Sequence, residues 1–209
     1  MRDLAGRMKR FWETVHTRGA HLGLDGEGEY MRDRYARLLK GVPLRGKVIV
    51  DFGCGGGLLG VYVLGERKAA RYVGYDVAER SIDRARENLK DLASEGSVEL
   101  VLLGKHRWDF AEKRPDVLVC LACILHFPTA SYLDNFLRTC DESGAATLVL
   151  EVRLADKTQF QHDPYSSARA AVKACFTNEG YLTPRLPRYD LARQEDDRST
   201  RILRYVRRA

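Results

Sequence analysis

The 209-residue chain has little from which to build a disulfide framework, a membrane span or an export leader. Its five cysteines (Cys54, Cys120, Cys123, Cys140 and Cys175) are odd in number and scattered, which fits free thiols in a reducing compartment. The longest unbroken apolar run, Val117 to Leu125, is nine residues long. A bilayer helix needs ~20, so no membrane partner is expected. Met1 to Arg10 is interrupted by charge every few residues and never builds the apolar stretch of a signal peptide. The chain therefore reads as cytoplasmic. It also has no internal repeat and no low-complexity tract, which excludes solenoid and linker-like organisations.

What is present is the composition of a globular protein, with 44% hydrophobic and 31% charged residues. The length suits one domain, or one domain with a cap, because single cores stop growing only beyond roughly 250 to 300 residues. The net charge of +6 is unevenly placed. Residues 1–40 hold 9 basic and 6 acidic side chains and residues 185–209 hold 8 and 4, so the ends are basic and the body is close to neutral. An anionic partner is therefore a question for the ends and not for the body.

From residue 48 onward short β-branched runs alternate with helical patterns, which predicts a parallel sheet covered on both faces. Strands are expected at 48–50, 71–75, 98–102, 117–123 and 146–152, with extended pieces near 181–183 and 202–206. Ile82, Ala85, Leu89 and Leu92 recur at helical spacing, with Gly96 beyond as terminator. Pro128 and Thr129 open a helix that runs through Cys140, and a further helix is expected over 167–178. Residues 4–40 read as helical segments separated by glycines. The expected organisation is an N-terminal helical cap over 1–44 and an α/β domain over 45–209.

The strongest local signal is Val48-Ile49-Val50-Asp51-Phe52-Gly53-Cys54-Gly55-Gly56-Gly57-Leu58-Leu59-Gly60. Glycines between a strand and a helix let backbone approach a ligand closely, and open α/β sheets bind nucleotides at this place. Two registers fit: Asp-x-Gly-x-Gly-x-Gly from Asp51 to Gly57, and the dinucleotide pattern formed by Gly55, Gly57 and Gly60. Electrostatics separates them. Asp51 at the strand tip would repel a pyrophosphate and attract an amino group. The next strand ends in Asp76, placed 19 residues after Gly57, where a carboxylate can accept both hydroxyls of a ribose. That leaves a ligand with a ribose and an ammonium but no phosphate, a description that S-adenosylmethionine meets.

On these residues the chain resembles the class I S-adenosylmethionine-dependent methyltransferases, over roughly residues 45 to 209. The resemblance implies a doubly wound, mostly parallel seven-stranded sheet of the Rossmann-like kind. It places Asp51, Gly53, Cys54, Gly55 and Gly57 around the methionine end of S-adenosylmethionine and Asp76 on the ribose. Val77 and Ala122 complete the expected cofactor wall. The acidic residue that usually contacts the adenine is replaced by Lys105, so that contact falls to backbone or to Asp109, with His106 flanking. From the cap, Trp12, Tyr30 and Arg34 are candidates to close over the cofactor, Arg34 through its planar guanidinium fork.

Methyl transfer from a sulfonium is an in-line displacement, which requires an aligned acceptor and, for a hydroxyl, a base. The candidates are His126 after the fourth strand, Glu151 at the end of the fifth, and His162, which lies with Tyr165 on the following segment. Cys120 and Cys123, three apart on one expected strand, would point to opposite faces and hold no shared metal. The fourth-strand segment lacks the Asn/Asp-Pro-Pro-Tyr/Phe of amino-methylating nucleic-acid enzymes. Its Leu125-His126-Phe127-Pro128 is more like that of small-molecule methyltransferases. A small-molecule acceptor is expected, with O-methylation ahead of N-methylation. The second reading is an RNA methyltransferase, on the strength of Arg198, Arg201, Arg204, Arg207 and Arg208. Further readings are a nicotinamide-dependent oxidoreductase, which would lack the Tyr-x-x-x-Lys pair of short-chain dehydrogenases, and a non-catalytic S-adenosylmethionine-binding subunit.

Overall fold

The structure, a computed structural model, describes residue 13 and residues 28–103, 108–162, 173–197 and 199–209. Its described elements run α1 (Gly28–Leu38), β1 (Val48–Phe52), α2 (Leu58–Gly65), β2 (Arg71–Asp76), α3 (Glu79–Leu89), β3 (Val98–Leu102) and β4 (Val117–Cys120). They continue with α4 (Ala130–Glu142), β5 (Thr147–Leu154), β6 (Gln159–His162), β7 (Lys173–Thr177), α5 (Glu179–Leu182), β8 (Tyr189–Asp197) and β9 (Thr200–Arg207).

The strands form one mixed sheet, ordered β3-β2-β1-β4-β5, in which all neighbours are parallel. The winding direction reverses between β1 and β4, and such a switch point opens a crevice at the carboxyl ends of the strands. Beyond β5 the sheet divides. β9 runs antiparallel along Thr147–Arg153, with β8 outside it. β7 pairs with Arg153 and Leu154 on the opposite edge, in line with β4 and beyond its end, and β6 closes that hairpin.

Strand alternation sorts the apolar side chains into two cores. Val50, Phe52, Val73, Tyr75, Leu118 and Cys120 face α4, whose Leu133, Phe136, Leu137 and Cys140 recur at i, i+3, i+4 and i+7. Ile49, Tyr72, Val117, Val119 and Val149 face the other way, against α1, α2 and α3. Tyr35, Leu38 and Leu39 bring α1 into this second core. Thr129 caps α4, its hydroxyl accepting the Tyr132 amide at 3.2 Å.

Among the described residues the sheet has nine strands where seven were expected. Over 173–177 the chain is strand β7, not the end of a helix, and 179–185 is helical where an extended piece was expected. Alanine-rich sequence favours helix locally, but pairing with β5 and β6 fixes Lys173–Thr177 as a strand. β4 stops at Cys120, three residues short of the expected end, because Ala122 has φ +52° and turns the chain into a 3-10 turn at Ile124–His126. Cys120 and Cys123 consequently both pack into the core that faces α4 and not onto opposite faces.

Gly60, the last glycine of the dinucleotide register, has a packing reason. It sits within α2 directly over Tyr72, and an added Cβ would lie 2.7 Å from that ring. Gly65, at the end of the same helix, has only Leu92 at 3.9 Å. Gly60→Ala is therefore expected to lower unfolding free energy by about 1–3 kcal/mol. Gly65→Ala should leave it unchanged or raise it by up to about 1 kcal/mol. Urea denaturation of the two variants checks this, and equal effects would contradict it.

Candidate active site

The turn after β1 is set by backbone conformation. Gly53 and Gly57 have φ of +82° and +77°, a region that costs a side-chain-bearing residue strain. At Gly53 a Cβ would also collide with the Cys123 thiol. The Gly53 and Cys54 amides both donate to the Tyr75 carbonyl at 2.8 and 2.9 Å, which draws the turn against the end of β2. Asp76 completes the junction. Its Oδ2 accepts the Gly55 amide and its Oδ1 the Ala78 amide, each at 2.9 Å.

These turns open onto an open cavity of about 570 Å³ at the carboxyl ends of β1, β2, β3 and β4. Of the expected cofactor residues, Gly53, Gly55, Asp76, Val77 and Ala122 line it, and His126 lines it too. Sequence reasoning missed Phe52, Leu103, Cys123, Phe127 and Tyr132. Tyr132 carried a usable signal, since helical spacing puts it one turn before Phe136 at the start of α4. Its ring meets Phe127 at 4.9 Å and Trp108 at 5.0 Å, and Phe52 packs edge-on to Trp108 and Phe127. One side of the cavity is thus a rigid aromatic wall. Among the described residues no lysine or arginine lines the cavity.

The remaining expected residues stand elsewhere. Asp51 lies beneath the turn, buried and accepting the Tyr72 hydroxyl at 2.7 Å. Cys54 is buried and Gly57 caps α2. Asp109, the candidate for the adenine, instead accepts the Tyr75 hydroxyl at 2.7 Å and pairs with Lys113 at 3.0 Å. Burial pulls the Asp109 carboxyl up, but these two bonds outweigh it and hold it below its ordinary value. Tyr30 is on the exposed side of α1. His106, Trp12, Lys105, Tyr165 and Arg198 lie outside the described residues. His162 ends β6, with its backbone paired to Lys173. β7 of that hairpin packs against the 3-10 turn that carries His126.

Two expectations are corrected. Arg34 does not reach toward the cavity, because its guanidinium is committed to Glu151 at 2.7 Å and Asp197 at 3.2 Å. Glu151 is not available to orient an acceptor. Its Oε1 accepts from Arg34 and from Thr200 at 2.7 Å, and its Oε2 accepts the Ala122 amide at 2.8 Å. The pair is enclosed, with side-chain exposures of 11% and 2%. Among the described residues no group of three or more His, Cys, Asp or Glu is arranged to hold a metal.

Residues 49–144 match the family model described as a methyltransferase domain. That match covers a little less than half of the chain. The fold agrees with solved methyltransferases across nearly the whole chain. Magnesium protoporphyrin IX methyltransferase from Synechocystis PCC 6803, solved with bound S-adenosylmethionine, has TM-score 0.70 at 19% identity, covering 99% of this chain and 98% of that one. The 1,6-didemethyltoxoflavin-N1-methyltransferase of Burkholderia thailandensis has TM-score 0.71 at 12% identity, covering 100% and 90%. Among curated proteins, the ribosomal protein L11 methyltransferase of Aeromonas salmonicida is 41% identical over 64 residues, 31% of this chain and 22% of that protein. The corresponding enzyme of Alteromonas mediterranea is 32% identical over 130 residues, 62% and 41%. The chain thus spans less than half the length of these relatives.

Beneath the glycine turn, burial pushes the Asp51 carboxyl up to about 7, opposed by the Tyr72 hydrogen bond and aided by nearby Asp76. The unfolded carboxyl loses its proton near the ordinary value of about 3.9. The stability this group supplies is therefore fully present below about pH 4 and lost as pH rises to about 7. Asp51→Asn removes the titration. Relative to wild type, the variant should gain stability steadily between about pH 5 and 7 and no more above that. Urea unfolding across this range is the measurement, and a pH-independent difference would contradict the assignment.

Proposed function

We propose that the chain is an S-adenosylmethionine-dependent methyltransferase that methylates a hydroxyl or amine of a small-molecule acceptor. The observation that carries this reading is the charge of the cavity. A fixed carboxylate, Asp76, faces it beside an open glycine turn, and among the described residues no cationic side chain lines it. Such a site suits a ribose joined to a cationic group and opposes a pyrophosphate, which also disfavours the nicotinamide reading. An added Cβ at Gly55 would meet nothing within 4 Å, so backbone is presented to the ligand there.

The residues fit the cofactor in parts. Asp76 would accept the ribose hydroxyls, since a carboxylate at the end of β2 faces the cavity there. Val77, Leu103, Phe127 and Tyr132 offer apolar surface for a planar base. Gly53, Gly55 and Ala122 would border the methionine end. Asp51 would stand below the turn, outside contact with the ligand. When bound, the cofactor supplies an electrophilic methyl group. The chain's own task is to align the acceptor and exclude water. His126, at the cavity wall, is proposed to accept the acceptor's proton, which a hydroxyl must lose and a neutral amine need not. His162, on the hairpin beside that turn, and the cap over 1–44 are proposed to bound the acceptor's side.

Small-molecule over RNA acceptance is supported by the fate of the basic C-terminus. On β9, residues three apart alternate between faces, so Arg201 and Arg204 do not form one stripe. Arg201 pairs with Asp196 and Glu179, Arg208 with Asp190, and Arg204 donates to the Lys40 carbonyl. Arginines already paired with carboxylates, as Arg201 and Arg208 are, have less to gain from phosphate. Two structurally similar methyltransferases are named for small-molecule acceptors, a porphyrin and a toxoflavin precursor. The described helices include none long and apolar enough to cross a membrane. The five free thiols support a cytoplasmic setting.

Calorimetric titration with S-adenosylmethionine, S-adenosylhomocysteine and NAD tests the reading. Both sulfur ligands should bind and NAD should not, and Asp76→Asn should weaken S-adenosylhomocysteine about 10- to 100-fold. NAD binding without S-adenosylmethionine binding would overturn it. Once an acceptor hydroxyl is identified by labelled-methyl incorporation from cell extract, His126→Ala should lower kcat about 10²- to 10⁴-fold. Full turnover by that variant would remove His126 as the base.

A further inference from the structure

We infer that Arg34 and Glu151 are a positioning pair that holds the cavity wall in shape from outside it, so that docking of α1 sets how well the cavity takes its ligand. The inference rests on reading the cavity as the S-adenosylmethionine site. It gives a role to two side chains that no contact with the cavity explains.

The wall segment concerned is Ala122–Cys123. Ala122 has φ +52°, a left-handed conformation that an alanine does not hold on its own. Its amide is held by Glu151 Oε2 at 2.8 Å. The same carboxylate cannot swing away, because Oε1 is fixed by Arg34 and by the Thr200 hydroxyl, each at 2.7 Å. Arg34 is fixed in turn by Asp197 at 3.2 Å, which also receives Arg37 at 2.8 Å. One buried chain of charge therefore joins α1, β5, the β8–β9 turn and the loop after β4. The consequence of the turn at Ala122 is that Cys123 folds back onto Gly53, leaving no room for a Cβ there, and both residues line the cavity. Releasing Ala122 would move Cys123 off the glycine turn and change the wall at the methionine end.

Two substitutions separate positioning from simple stability. Arg34→Lys keeps the charge but offers one nitrogen where the fork served two carboxylates. Ala122→Gly leaves the network untouched and removes the strain it opposes. At a temperature where every variant is fully folded, Arg34→Lys should bind S-adenosylhomocysteine about 10-fold more weakly, the population equivalent of the left-handed penalty. Arg34→Lys/Ala122→Gly should return to within about 3-fold of wild type.

A second readout needs no ligand. Cys123 is half-buried while the other four cysteines are buried, so a small aromatic disulfide reagent reports on it, with the site mapped by mass spectrometry. Its labelling should be about 5- to 10-fold faster in Arg34→Lys and slow again in the double variant. Thr200→Val loosens the same carboxylate more mildly and carries the same expectations if Arg34→Lys fails to fold. If the wild type binds neither sulfur ligand yet Cys123 labelling responds as stated, the methyltransferase reading falls and the positioning pair stands. Unchanged binding and labelling in the folded variant, or a defect that Ala122→Gly does not repair, overturns the inference.

Discussion

The two hydrogen bonds that Asp76 accepts from Gly55 and Ala78 fix the geometry on which the site depends. They join the turn after β1 to the turn after β2, and so set the width of the crevice that the switch in winding direction opens. They also fix a carboxylate at the cavity wall. A single side chain thereby supplies both the frame of the site and the charge that selects its ligand. Asp51 lies below the same turn, bonded to Tyr72, and the closeness of the two carboxylates is part of what raises its pKa. The glycine turn thus rests over carboxyl groups from two strands.

The two faces of the sheet divide the remaining work. Toward α4 the core is aromatic and aliphatic, with Phe52, Trp108, Phe110, Phe127 and Phe136 in edge-to-face contact. Such packing makes an unyielding cavity wall. Toward α1 the core contains Asp51 with Tyr72, and Glu151 with Arg34, Thr200 and Asp197. Buried ion pairs add little stability compared with apolar packing, and removing one partner is costly. Their presence on the face that carries the first described helix therefore links placement of that helix to the shape of the site.

The parts of this arrangement legible in the sequence are those governed by local rules. The glycine spacing after β1, the strand-terminal Asp76 and the Thr129 cap all follow from backbone conformation and strand or helix periodicity. The parts that were not legible depend on contacts distant in sequence. Glu151 and Arg34 are 117 residues apart, and nothing near either announces the other. The strand at Lys173–Thr177 has a helical local composition and exists because β5 and β6 offer it partners. Gly60 looked like part of a nucleotide fingerprint and proved to be clearance for Tyr72. The early end of β4 rests on one left-handed alanine, which no propensity predicts.

The central claim is that the cavity bounded by Asp76 and the glycine turn binds S-adenosylmethionine. A crystal structure of the chain with S-adenosylhomocysteine tests it most directly. The account predicts the ribose hydroxyls on the Asp76 carboxylate, the amino acid end beside Gly53 and Gly55, and the sulfur facing the His126 side. Density for the ligand outside this cavity, or a ribose that does not touch Asp76, would contradict it.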